Sequence, residues 1–203
     1  MYLFADETVS LTRLTSLDTY MSCGPLFHGN SQFLAAYPAL IAGSRYVLQE
    51  RFSASEWINQ IRSSKATVTN FIGVMMDFVW QQERKEDDAD NQLRCVFAAP
   101  TASSILDEYK ERFGIEAFVE VFGLTETCMP ILTPYGVDRP AGAAGLLNKV
   151  WFDIVQQSLV VSYNQKRIVF AEGEDENTLK AAIAFKNSKL GIPILVGKES
   201  KIK

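Results

Sequence analysis

The sequence carries one histidine, His28, and three cysteines, Cys23, Cys95 and Cys128. The cysteines are scattered through apolar stretches and lack the spacing of metal ligands, so they read as reduced core thiols of a cytoplasmic protein. No apolar run reaches the length of a membrane span. The opening residues, Met1-Tyr-Leu-Phe-Ala-Asp-Glu7, have no basic stretch and do not read as a signal peptide. Cationic excess is also missing: 20 Lys and Arg stand against 24 Asp and Glu, a net charge of −4. That balance argues against nucleic acid or an anionic membrane surface as the main partner.

What is present is an ordinary globular composition, 47% apolar and 22% charged over 203 residues. The length suits one domain or parts of two. Residues 1–14 read as a helix with Leu3, Phe4, Val9 and Leu11 apolar, and Thr19 to Leu26 as a short strand running into Gly24-Pro25. His28-Gly-Asn30 opens a helix through Ala42, with Phe33, Leu34, Tyr37, Leu40 and Ile41 on its inward face. Gly43 ends that helix. Further strands are expected at 45–48, 68–72, 93–98 and 117–122. Ser53-Ala-Ser-Glu56 has the form of a capping box. It opens a helix to about Ser63 with Trp57, Ile58 and Ile61 inward. Residues 74–82 and 103–113 are helical, the second stopping at Gly114. The charged run 83–90 reads as a solvated loop.

Near-continuously apolar strands alternating with helices predict an α/β fold, a partial, largely parallel sheet flanked by helices, with 117–122 as the central strand. Ligands on such sheets lie at the carboxyl ends of the strands. Ala98-Ala99-Pro100 and Gly123-Leu124-Thr125 both occupy such ends. The second belongs to Glu120-Val-Phe-Gly-Leu-Thr-Glu-Thr127, where the strand is expected to break at Gly123 and present Thr125 and Glu126 together. Glycine permits close approach of backbone to a ligand, and a carboxylate is the kind of oxygen ligand Mg²⁺ accepts beside phosphates. On chemistry alone the stretch reads first as a buried strand followed by a turn.

Phe122-Gly-Leu-Thr-Glu126 resembles the aromatic-Gly-x-Thr-Glu motif of the adenylate-forming superfamily, which includes acyl-CoA synthetases, peptide-synthetase adenylation domains and luciferases. Pro25-Leu-Phe-His-Gly-Asn30, Phe97-Ala-Ala-Pro100 and Gly142-Ala-Ala-Gly145 accompany it in that family's order, so the resemblance covers roughly residues 1–153. Acyl-CoA ligases of the carnitine/crotonobetaine and fatty-acid types look similar. The resemblance implies ATP, Mg²⁺ and CoA as cofactors and a small carboxylic acid as substrate. A lone histidine beside glycine at a helix start otherwise reads as structural. The family match implies that His28 lines the acyl and thioester site, with Gly29 and Asn30 following along the acyl pocket. By the same match Ala98, Ala99 and Pro100 cradle adenine, with alanine where glycine is usual. Phe122, standing where tyrosine is frequent, stacks on adenine beside Gly123 and Leu124. Thr125 bonds the α-phosphate and Glu126 holds Mg²⁺. Gly142 and Gly145 read equally as turn glycines. Ala35, Tyr37, Phe71, Met75 and Met76 are either acyl-pocket walls or plain core.

Past residue 155 the character changes. Trp151 to Val155 reads as the start of a strand. Residues 164–203 hold eight Lys and Arg against five Asp and Glu, and the preceding part twelve against nineteen. Lys166–Glu172, Asp175–Leu190 and Pro193–Gly197 predict one β-α-β unit, the helix with Leu179, Ala182, Ile183 and Leu190 inward. Arg167-Ile-Val-Phe-Ala-Glu-Gly-Glu-Asp-Glu176 with Pro193-Ile-Leu-Val-Gly197 is similar to the opening of phosphate acetyltransferases and of the related domain of some malic enzymes. The expected organisation is therefore a partial acyl-CoA synthetase domain over 1–155 and a partial phosphotransacetylase-like segment over 156–203. A Ser/Thr/Gly-rich phosphate loop, a ribose-binding aspartate and a C-terminal catalytic lysine, which the resemblance calls for, are not found, so the chain reads as a fragment without activity of its own.

Overall fold

In the computed structural model, residues 2–101, 103–124, 128–137, 145–149, 152–153, 167–170, 175–187 and 192–198 are described. The chain forms two compact units, residues 1–148 and 149–203. The junction expected near residue 155 falls among residues outside the described set.

The first unit begins with helix α1 (Tyr2–Thr12) and strand β1 (Thr19–Ser22). A composite helix follows: α2 (Gly29–Ser31), a π-helical turn (Gln32–Ala36) and α3 (Tyr37–Ala42). Then come β2 (Arg45–Leu48), α4 (Trp57–Ser64), β3 (Val68–Ile72), α5 (Met75–Trp80) and β4 (Cys95–Ala99). A 3₁₀ turn (Ser103–Ile105) leads into α6 (Leu106–Phe113), followed by β5 (Ala117–Leu124), β6 (Cys128–Thr133) and β7 (Leu146–Leu147). The seven strands lie in the order β2-β1-β3-β4-β5-β6-β7. The pairs from β2 to β5 are parallel, and β5–β6 and β6–β7 are antiparallel. The sheet is thus largely parallel, as expected, but its middle strand is β4; β5 stands where the sheet changes direction.

Strand alternation sends successive side chains to opposite faces. Met21, Phe71, Val96, Ala98 and Phe118 meet α4, α5 and α6 on one face. Tyr20, Val68, Phe97, Val119 and Val121 meet Phe4, Leu11, Ala35 and Ala39 on the other. Trp57 anchors the first face, its ring 5.2 Å from those of Phe71 and Phe113.

Several local readings change. Leu40 is 75% exposed, and Tyr37 and Ile41 are exposed too, whereas Ala35, Pro38 and Ala39 are buried. The cause is Pro38. It has no N–H to give the Leu34 carbonyl four residues back, and Tyr20 Oη donates to that carbonyl instead at 2.9 Å. The wide π turn just upstream rotates the following residues off the regular 3.6-residue face. Burial pushes the Tyr20 phenol well above its ordinary pKa. The capping box is not formed: Ser53 Oγ pairs with Ser55 Oγ, Glu56 accepts from Asn59 Nδ2, and α4 starts only at Trp57. Strand β5 does not break at Gly123 but runs on to Leu124 with a register shift after Phe122. Phe152 and Asp153 are helical where a strand was expected from Trp151; short apolar runs satisfy either period.

The 83–90 run is more than a solvated loop. Asp88 is buried and receives Arg112 Nε at 2.7 Å. Arg112 also donates to the carbonyls of Trp80, Gln82 and Glu83 and lies over the Phe113 ring. Breaking a buried pair leaves an uncompensated charge and costs about 3–5 kcal/mol. Arg112→Met should therefore lose about that much stability in urea denaturation, with partial recovery when Asp88→Asn is added.

At the amino ends of the strands, Asp18 accepts from Arg94 Nε and Nη2 at 2.9 Å, from Thr67 Oγ1 at 2.7 Å and from the Thr15 N–H at 2.8 Å. Burial alone would raise its pKa, but these donors outweigh it and hold the carboxyl at about 2, below the ordinary 3.8. The folded state therefore releases this proton more readily than the unfolded one. The stabilisation is full above pH ~4 and drains away as pH falls toward 2, amounting to about 2 kcal/mol. Acid titration of stability should show Asp18→Asn missing that increment of the wild-type loss between pH 5 and 2.

The second unit contains β8 (Arg167–Phe170), α7 (Glu176–Asn187) and β9 (Ile192–Leu195), with β8 and β9 parallel. This is the expected β-α-β. Asp175 Oδ1 caps the helix by accepting from the Thr178 N–H. Ala182 is buried, but Ile183 is exposed rather than inward. Leu190 lies outside the described residues.

Candidate active site

Strands β1, β3, β4 and β5 run parallel, so their carboxyl ends share one edge. Along that edge lies a cleft of about 260 Å³ lined by Phe4, His28, Gly29, Asn30, Phe33, Leu34, Ile72, Ala99, Val121, Gly123, Leu124 and Met129. Three separate stretches picked out in the sequence, His28-Gly-Asn30, Ala99 and Gly123-Leu124, meet here. The remaining walls are apolar, and no charged side chain is among the described residues that line it.

His28 caps α2: its Nδ1 accepts the Asn30 N–H at 3.2 Å. A neutral ring that accepts at Nδ1 carries its proton on Nε2, so the exposed side of the imidazole is a donor. Asn30 is buried beside it and accepts from Asn70 Nδ2. Ala99 ends β4, and its carbonyl accepts from the Gly73 N–H at 3.0 Å. Ala98 turns its side chain into the core on the opposite face, and Pro100 is exposed. Phe122 is 57% exposed and is not one of the cleft walls. Thr125, Glu126 and Gly142 lie outside the described residues; 125 and 126 belong to the three residues that join β5 to the antiparallel β6.

Of the residues left open as acyl wall or core, Ala35, Phe71, Met75 and Met76 belong to the core or pack against it, and Tyr37 is exposed. Ala35, Phe71 and Met76 are fully buried, and neither they nor Tyr37 and Met75 line the cleft. Phe4, Leu34, Ile72, Val121 and Met129 do, and these went unnoticed in the sequence as site residues. Met129 carries no motif signal, since β6 was not anticipated. Asn70 did carry one: it is an amide in the middle of a buried parallel strand, a setting that is normally apolar.

The arrangement is an α/β domain with a largely apolar cleft at the carboxyl edge of a parallel sheet. The chain belongs to the AMP-binding enzyme family, which matches residues 2–158. It is 37% identical over 124 residues to a crotonobetaine/carnitine–CoA ligase of Salmonella heidelberg (strain SL476), an overlap of 61% of this chain and 23% of that protein. The chain thus spans about a quarter of the length of the curated relatives it matches. Among solved structures it is similar to a putative long-chain-fatty-acid CoA ligase from Rhodopseudomonas palustris CGA009, at 27% identity and a TM-score of 0.59 over 72% of this chain and 36% of that one. O-succinylbenzoate coenzyme A synthetase from Bacillus subtilis, solved with AMP, shares the fold at 23% identity and a TM-score of 0.56, over 73% of this chain and 31% of that one. Residues 152–203 match a second family, phosphate acetyl/butaryl transferase.

Of the two motif glycines, Gly145 is described and has a physical requirement. Its φ is +135°, and an added Cβ would lie 2.7 Å from the Leu132 carbonyl oxygen and 2.9 Å from Thr133 Oγ1. Only glycine lets this backbone close on β6, the strand that carries Met129 to the cleft. Gly145→Ala should cost about 1–3 kcal/mol of stability, read as a lowered urea midpoint.

Proposed function

We propose that residues 1–155 are part of the substrate-binding domain of an ATP-dependent acyl-CoA ligase, and that residues 156–203 are a phosphotransacetylase-like segment without activity of its own. The observation that carries this is the meeting of His28-Gly-Asn30, Ala99 and Gly123-Leu124 in one cleft at the carboxyl edge. In the reaction, the carboxylate of a small acid attacks the α-phosphate of ATP to give acyl-adenylate and pyrophosphate, and CoA thiolate then displaces AMP. The apolar walls take the acyl chain. His28 orients the carboxylate, with Gly29 and Asn30 beside it. Ala98, Ala99 and Pro100 offer backbone to adenine, and the exposed Phe122 ring a stacking face. Thr125 bonds the α-phosphate, and Glu126 would hold Mg²⁺, whose charge offsets that of the reacting phosphate.

The described cleft suits the acyl and adenosine parts of this assembly. It supplies no cation for a triphosphate. A cytoplasmic setting is part of the reading, supported by the free thiols of Cys23 and Cys95; burial pushes Cys95 up to about 12. Among the described residues no helix is long and apolar enough to cross a membrane.

Titration with a non-hydrolysable ATP analogue tests the reading. Mg²⁺-dependent binding that Glu126→Ala removes is the expected outcome; absence of binding with and without Mg²⁺ overturns it. Supplied with ATP, Mg²⁺, CoA and a panel of short and long carboxylic acids, the chain should release pyrophosphate only at background. Loss of one positioned transition-state donor alone costs on the order of 10²–10³ in rate. Turnover above background that vanishes in Glu126→Ala would show instead that this chain completes the site.

A further inference from the structure

Asn70 sits on β3 between Val68 and Ile72, and alternation puts all three on the same face of the sheet. Val68 packs in the core of that face and Ile72 lines the cleft. Asn70 is 4% exposed and Asn30 6% exposed, and they are forty positions apart in sequence, yet Asn70 Nδ2 donates to Asn30 Oδ1. Asn70 Oδ1 is buried without a partner. An amide kept in such a place at the expense of an unmet acceptor has a purpose in what its other end holds. Asn30 spends its side-chain oxygen on Asn70, its backbone N–H goes to His28, and it lines the cleft. No acceptor among the described residues takes its Nδ2.

We propose that Asn70 is a positioning residue: it fixes the Asn30 carboxamide with its NH₂ turned into the cleft, so that Asn30 Nδ2 and His28 Nε2 form a two-donor cradle for a carboxylate oxygen. Released from Asn70, the Asn30 amide could turn over and present its oxygen, which repels a carboxylate. The cradle is neutral, so it orients the acid by direction of hydrogen bonds rather than by charge. The identity of the ligand rests on the ligase reading above; the orientation of the amide does not.

Two measurements on the intact chain test this. In the unliganded protein, NMR should show the Asn30 Nδ2 protons close to the methyl groups of Ile72 and Ala99. Asn70→Asp, nearly the same in shape but unable to donate when ionised, should turn the Asn30 amide so that those protons face position 70. An amide that keeps one orientation in both proteins, or that faces position 70 in the wild type, overturns the proposal. Binding is then read with hexanoate and with 1-hexanol, which share a chain and differ in the head group. Asn70→Leu should weaken hexanoate by about tenfold, the scale of one well-placed hydrogen bond, and leave hexanol unchanged. Equal weakening of both marks a structural role only and sinks the proposal. If hexanoate fails to bind wild-type protein while the amide orientation holds, the ligase reading suffers and the positioning role stands.

Discussion

The amino ends of three strands are tied together by one carboxylate. Asp18 stands just before β1, Thr67 just before β3 and Arg94 just before β4, and their side chains form a single hydrogen-bonded cluster. The same residues feed the backbone ladder: the Asp18 carbonyl accepts from the Arg45 N–H at β2, and the Thr67 carbonyl from the Arg94 N–H. Arg94 further donates to the carbonyls of Thr12 and Arg13, closing the end of α1 onto the same cluster. Because these strands run parallel, their carboxyl ends all lie on the opposite edge of the sheet. The clamp holds β1, β3 and β4 side by side, and the segments that leave their carboxyl ends carry His28, Ile72 and Ala99 to one edge.

Rigidity is distributed accordingly. On one face, the Arg112–Asp88 pair pins the 80–90 segment to α6 and keeps the Trp57 cluster closed. On the other, the composite helix has to cross the sheet with a proline in it. Tyr20 repairs the lost bond, and the π turn brings Phe33 and Leu34 to the cleft while Ala35 and Ala39 pack closely on the sheet. π turns inside helices are frequent at functional sites, and here the irregularity sets which side chains line the cleft.

Among the described residues, the side chains of the cleft are polar only where α2 begins. Backbone capping by His28, the buried Asn30 and the amide of Asn70 form one connected chain of bonds from a ring at the surface to the interior of β3. Where Asn70 Nδ2 is the donor, the Asn30 amide answers with its oxygen and its own NH₂ is left for other partners. In the ligase reading proposed above, binding energy would come from the apolar walls and specificity from the donors, the usual division in small-molecule sites.

By itself, the sequence determined the class of fold, the positions of most strands and helices, and the three motif stretches of the cleft. These follow from local properties: period, glycine stops such as Gly43 and Gly114, and residue types at fixed spacing. Tertiary structure decided what depends on partners far along the chain. It buried Asp88, which Arg112 could satisfy only across 24 positions. It turned Leu40 outward because Pro38 broke the helical period. It carried β5 past Gly123, because β6 was there to pair with it. It also separated Ala98 from Ala99, placing one in the core and one in the cleft, since neighbours on a strand face opposite ways.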